Sequence, residues 1–119
     1  MKFKINIKRV YEIPTEKDGY RILVDRLWPR GVSKEKAKVD LWEKKIAPTS
    51  ALRRWFSHDP LLWHDFKMKY QTELKNNKCI TEIISLIKLK KIVTLVYAAK
   101  DKEHTHAIVL KLFLENHCL

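Results

Sequence analysis

Along the N-terminus, apolar Phe3, Ile5 and Ile7 alternate with Lys4, Asn6 and Lys8, a period of two that predicts a half-buried strand over 3–10. Pro14 and the pair Asp18-Gly19 then mark a loop. The run RILVD (21–25) reads as a short buried strand. SKEKAKVDLWEKKI (33–46) predicts a helix with Ser33 as its N-cap, stopped by Pro48. TSALRRWFS predicts a short helix that turns Leu52, Trp55 and Phe56 to one side and leaves Arg53 and Arg54 on the solvated side. Asp59-Pro60 supplies a capping acceptor and a proline suited to a first helical position. From there Trp63, Phe66, Tyr70 and Leu74 fall at i, i+3, i+7 and i+11, one amphipathic stripe that reads as core. Asn76-Asn77 closes that helix, and Ile80, Ile83, Ile84 and Ile87 form the inner face of the next.

IVTLVYAA (92–99) is apolar at nearly every position, the pattern of a strand covered on both faces. KDKEHTH turns the chain into AIVLKLFLEN, a closing helix apolar almost all round. Helices alternating with continuous apolar strands predict an α/β fold: one small three-layer domain over 1–119, with a short, mainly parallel sheet and flanking helices. Ten residues between the first two strands is short for a parallel crossover, so an antiparallel pair there stays open.

Charge changes the picture in one half of the chain. The net charge is +11, from 25 Lys and Arg against 14 Asp and Glu. Most of the cations are lysines spread as a solvating face, but all six arginines lie within the first 54 residues. An arginine grips carboxylate or phosphate with a planar fork that lysine cannot reproduce. The N-terminal half is therefore where an anionic partner is expected. No apolar run reaches membrane-spanning length, the N-terminus alternates instead of forming a signal-peptide block, and Cys79 and Cys118 have no metal-ligand spacing. These features predict a reduced, cytoplasmic protein with no membrane partner, no metal and no cofactor. Two glycines exclude a glycine-rich phosphate cradle, and CxxC, HExxH and GxSxG are absent.

In parallel α/β sheets, ligands gather beyond the carboxyl ends of the strands. The strand at 21–25 ends in DRLWPRG and that at 92–99 ends in KDKEHTH, so parallel neighbours would bring both stretches to one edge. Asp25, Arg26, Trp28, Arg30, Lys100 and His106 are the candidate ligand-binding residues, and Asp101 and His104 the candidates for moving a proton. Each has a plainer role. Asp101 serves equally as a cap for the last helix, Trp28 as core, and Arg26 as the partner of Asp25 or Asp101. His104 and His106, two apart, point in different directions on a helix and do not share a metal. Asp59 is explained as a cap, which removes the nearby His64 from any catalytic pair.

Several stretches taken together resemble a known family. IKRVYE, DGYRILVDRLWPRGVSKEKA, LRRWFSHDP, TLVYAAKDKEH and HAIVL, from about residue 7 to residue 112, are similar to the bacterial domain of unknown function 488, in its short DRLWPRG branch. The resemblance implies a small α/β domain of the bacterial cytoplasm and brings no established activity with it. Its recurrent positions fall on Arg9, Tyr20, Arg21, Asp25, Arg26, Trp28, Pro29, Arg30, Gly31, His58, Tyr97, Lys100, Asp101, His104 and His106. Thr105 departs from it, because relatives carry asparagine there and the wider family a cysteine, so the resemblance supports no thiol chemistry at this position.

Two functions are expected first from these residues, with a protein-interaction adaptor left open as a third. The first is a protein that binds or acts on an anionic, phosphate-bearing small molecule or a nucleotide at the C-terminal edge of the sheet. The second is a nucleic-acid-binding module that uses its basic surface without catalysis, although only weak, non-specific nucleic-acid contact is expected of a lysine face. Either is compatible with a monomer or a homodimer.

Overall fold

The most continuously apolar run becomes the centre of the sheet. A computed structural model describes residues 3–118. In it β1 (Lys4–Arg9), β2 (Tyr20–Leu23), β3 (Leu41–Trp42) and β4 (Ile92–Tyr97) form one sheet in the order β1-β4-β2-β3, and every neighbouring pair is parallel. The first two strands do not pair with each other, which removes the antiparallel alternative. Both pair with β4, and the ten residues 10–19 cross over it with a single 3-10 turn in place of a helix. Gly19 ends that turn at φ +63, where a Cβ would collide with the carbonyl of Ile92, so both the backbone and the space demand glycine.

Pleating separates the two faces. Ile7 and Ile22 both register with Leu95, and Ile5 with Val93, so these apolar side chains share one face. Onto it pack α2 (Ser50–Phe56), α3 (Trp63–Lys75), α4 (Cys79–Lys90) and α5 (His106–His117). Phe66, Tyr70 and Leu74 of the expected stripe are buried, as are Ile83 and Ile87 of α4. Each such side chain contributes about 1.5–3 kcal/mol of transfer free energy, which fixes these helices on the sheet. Tyr70, fully buried, donates its hydroxyl to Ile46 O at 2.8 Å, and burial pushes its pKa well up.

The other face is thinner and partly polar. Val10, Leu23, Ala37 and Val96 make a small apolar cluster there. Beside it Arg21 donates to Asp18 Oδ2 at 2.7 Å and to Ala37 O, Lys8 reaches Asp18 at 3.1 Å, and Thr94 Oγ1 donates to Asp18 O at 2.7 Å. This polar cluster thus ties the crossover to β1, β2 and β4. Burial pushes the Asp18 carboxyl up, but hydrogen bonds from Thr15, Lys8 and Arg21 outweigh it and hold its pKa below the ordinary value.

Two expectations are corrected. The helix expected over 33–46 is only α1 (Lys34–Ala37), with Ser33 capping Lys36 N as anticipated. Lys38 then turns left-handed, Asp40 exchanges hydrogen bonds with the Arg21 backbone, and Leu41 and Trp42 join the edge of β2. Pairing with an open sheet edge overrides the helical composition of a lysine- and glutamate-rich stretch. Trp55 does not join Leu52 and Phe56 in the core: it is 41% exposed, with the Lys69 ammonium 5.1 Å from its ring centroid. No helix among the described residues is long and apolar enough to cross a membrane.

A cationic cleft at the carboxyl edge of the sheet

Because β2 and β4 are parallel neighbours, the loops that follow them leave the sheet side by side. Val24 N donates to Val96 O at 3.0 Å, and Ala98 N donates to Asp25 Oδ2 at 2.9 Å. The loops after β2 and β4, together with the end of α2, enclose a cleft of ≈ 720 Å³, a size suited to a small ligand. Asp25, Arg26, Trp28, Arg30, Lys100, His104 and His106 all line it. Asp101 does not border the cleft directly and reaches it through His104.

The side chains divide into those that build the cleft and those that face it. Asp25 is a builder. One carboxylate oxygen accepts from Ala98 N, while the other is buried, lacks a well-aligned hydrogen bond and lies 3.3 Å from His106 Nε2. His106 Nε2 is 3.0 Å from Val24 O, which selects the tautomer carrying hydrogen on that nitrogen. The ring thereby locks the start of α5 to the end of β2. Arg26 is also a builder, but its partner is neither Asp25 nor Asp101. Its guanidinium donates to Ala47 O at 3.0 Å and Pro48 O at 3.2 Å, clamping the carbonyls just before α2.

Trp28 does both jobs. Its indole N–H donates to Val32 O at 2.7 Å and its ring meets Trp42 edge-on at 5.4 Å, yet the residue still borders the cleft. Asp101 does not cap the last helix. It closes the preceding turn by accepting from Glu103 N and His104 N, whereas Thr105 caps α5. Its second oxygen accepts from His104 Nδ1 at 2.8 Å. The His104 hydrogen bond, followed by that from Glu103 N, holds the Asp101 carboxyl below its usual range. The His104 ring rests edge-on against Trp63 at 5.3 Å, so the imidazole is fixed from two sides.

What faces the cleft is positive. Arg30 is exposed and uses only its backbone carbonyl, which accepts from Tyr11 OH at 3.0 Å. Lys100 is exposed as well. Arg53, Arg54 and His58 border the same space, although the sequence pattern assigned the two arginines to a solvated helix face. Among the described residues none of Arg30, Arg53, Arg54 and Lys100 forms an ion pair. The signal that identifies Arg53 and Arg54 is their position in the last turn of a short helix that ends at the cleft. An amphipathic projection shows that they leave the core but not what they face. Among the described residues no three His, Cys, Asp or Glu side chains gather to hold a metal ion.

Comparison with known proteins places the chain in a family. Residues 4–119 match the family described as the "Inactive DUF488-N3 subclade". An Escherichia coli K12 protein, uncharacterized protein YeaO, is 41% identical over 106 residues, 89% of this chain and 92% of its own. Uncharacterized protein Rv3073c of Mycobacterium tuberculosis H37Rv is 37% identical over 107 residues, 90% of each chain, and Mb3100c of Mycobacterium bovis matches to the same extent. No solved structure matches.

Proposed function

The chain belongs to the DUF488 family, and from that premise we propose that it is a bacterial receptor for a phosphate-bearing small molecule or nucleotide, held in the cleft at the carboxyl edge of the sheet. One observation carries this reading: Arg30, Arg53, Arg54 and Lys100 surround a ligand-sized space and have no anionic partner among the described residues. Cations collected from three separate segments repel one another, and an anion between them relieves that repulsion through charge-assisted hydrogen bonds. Arg30, Arg53 and Arg54 provide the forked donors, Lys100 a point charge and Trp28 an apolar wall. Asp25, Arg26 and His106 hold the loops in place. His104, held by Asp101 through Nδ1, borders the cleft beside these cations. The description of the subclade as inactive favours binding over turnover.

A thermal-shift panel of inorganic phosphate, pyrophosphate, nucleoside phosphates, sugar phosphates and a mixed-sequence oligonucleotide tests the reading. A ligand at 100 times its dissociation constant stabilises the folded state by about 2.7 kcal/mol. Replacing Arg53 and Arg54 together with glutamine is expected to weaken the best phosphate response at least about tenfold, the worth of one charged hydrogen bond, with folding stability changed by no more than about 0.5 kcal/mol. A panel in which no phosphate compound raises the melting temperature sinks the proposal. Tight binding of the oligonucleotide alone, falling by about 0.9 log units per phosphate contact per log unit of salt, would put the nucleic-acid reading in its place.

A further inference from the structure

Among the described residues, four other than glycine adopt positive φ: Lys38, Ser57, His58 and Lys91. Lys38 and Ser57 each follow a helix, where one left-handed residue is the usual way to close the last turn, and Lys91 follows α4 at φ +72, ψ −37, its N–H bonded to Ile87 O. His58 is different. Ser57 has already closed α2 by donating its N–H to Arg53 O at 2.9 Å, and His58 continues at φ +56 directly after Ser57 at φ +47. Asp59 N donates to Phe56 O at 3.0 Å, so residues 56–59 make a four-residue turn with positive φ at both central positions. That geometry strongly prefers asparagine-glycine or aspartate-glycine, with glycine at the second central place. Histidine occupies that place here.

Packing does not account for the substitution. His58 is exposed, its ring lies tilted over Phe56 at 6.1 Å between centroids, and it forms no hydrogen bond among the described residues. It borders the cleft beside Arg53 and Arg54. A side chain kept in a strained conformation, doing little for the fold and bordering a cavity, is what a ligand contact looks like before the ligand arrives.

We propose that His58 is a phosphate-contacting residue of this cleft, donating an imidazole N–H to a phosphoryl oxygen alongside Arg53 and Arg54, and that the turn forgoes glycine to place it there. The inference rests on the anion-binding reading above and adds a specific donor to it. Its mark is an opposed response of stability and affinity.

The test uses the full chain, with inorganic phosphate and pyrophosphate as probes, followed by calorimetric titration and thermal unfolding. His58→Gly is expected to raise the melting temperature by about 2–5 °C while weakening the better probe about tenfold. His58→Ala removes the imidazole without relieving the backbone, so it is expected to lose the same affinity with no gain in melting temperature. If His58→Gly binds as tightly as the wild type, His58 is no contact and this inference falls while the anion-binding reading stands. A lower melting temperature in the glycine variant would show that the fold needs the imidazole, which also overturns it. A wild-type chain silent toward both probes refutes this proposal, and the anion-binding reading falls only if the remaining phosphate compounds are silent too.

Discussion

Arg21 and Arg53 show two uses of the same side chain. On the crossover side of the sheet Arg21 is 3% exposed, and its guanidinium is shared between Asp18 and the carbonyl of Ala37. At the cleft Arg53 and its neighbour Arg54 are exposed and have no ion pair among the described residues. A buried guanidinium is tolerable only when its donors are matched, and removing one partner leaves the other as an uncompensated charge. An exposed one adds little to stability whether paired or not. Partnering and burial, more than residue type or net charge, therefore separate the part of this protein that holds the fold from the part available to a ligand. By the same criterion the arginines of DRLWPRG split, Arg26 toward the fold and Arg30 toward the cleft.

The sharpest way to break this comparison is Arg21→Ala, which leaves buried Asp18 without its shortest ion pair. It is expected to cost about 3–5 kcal/mol in denaturant unfolding, while the fraction that remains folded binds phosphate unchanged. A loss below about 1 kcal/mol would mean that the crossover cluster is not structural in the sense argued here. Smaller in effect, and aimed at the motif itself, are two changes that keep the charge. Arg26→Lys is expected to lose about 1–2 kcal/mol of stability, because an ammonium cannot clamp the Ala47 and Pro48 carbonyls together. Arg30→Lys is expected to leave stability within about 0.5 kcal/mol and to weaken phosphate binding instead. The reverse result would exchange the two roles. The gentlest probe is pH. The Asp18 carboxyl titrates lower in the folded chain than its ordinary value of 3.8. Its contribution is therefore complete above that value and is lost as the pH falls through the folded pKa. Asp18→Asn should flatten the acid side of the stability curve, and a curve of unchanged slope there would remove Asp18 from the account.

Much of the architecture was legible because it is written in local periodicity. The stripe Phe66-Tyr70-Leu74 and the continuous strand at 92–97 are each specified by a handful of consecutive residues. The adjacency of the two loops was also legible, since parallel strands place their exits at one edge. Residues 38–42 were not. Lys38-Val39-Asp40-Leu41-Trp42 is too short and too close to lysine- and glutamate-rich neighbours to stand out as a strand, and it becomes extended because Asp40 and Leu41 find the open side of β2. The cleft was half legible for a related reason. DRLWPRG and KDKEHTH stand out from their surroundings, but the role of Arg26 depends on carbonyls more than twenty residues away, and those of Arg53, Arg54 and His58 on where a short helix happens to end. Sequence patterns show which faces are buried. They do not show which exposed groups share a cavity.

The crossing of residues 10–19 over β4 has a consequence for the order in which the molecule is made. Strands β1 and β2 flank a strand that begins at Ile92, so neither has its main hydrogen-bonding partner until that later stretch has been synthesised. Local helices can form earlier, but the sheet they cover cannot close behind them. Such long-range pairing slows folding and leaves strand edges open while it waits. A nascent chain of this protein thus carries unpaired apolar strands until Ile92–Tyr97 has been made. The lysines interleaved in β1, Lys4 and Lys8, stand as charged guards against association with other chains during that interval.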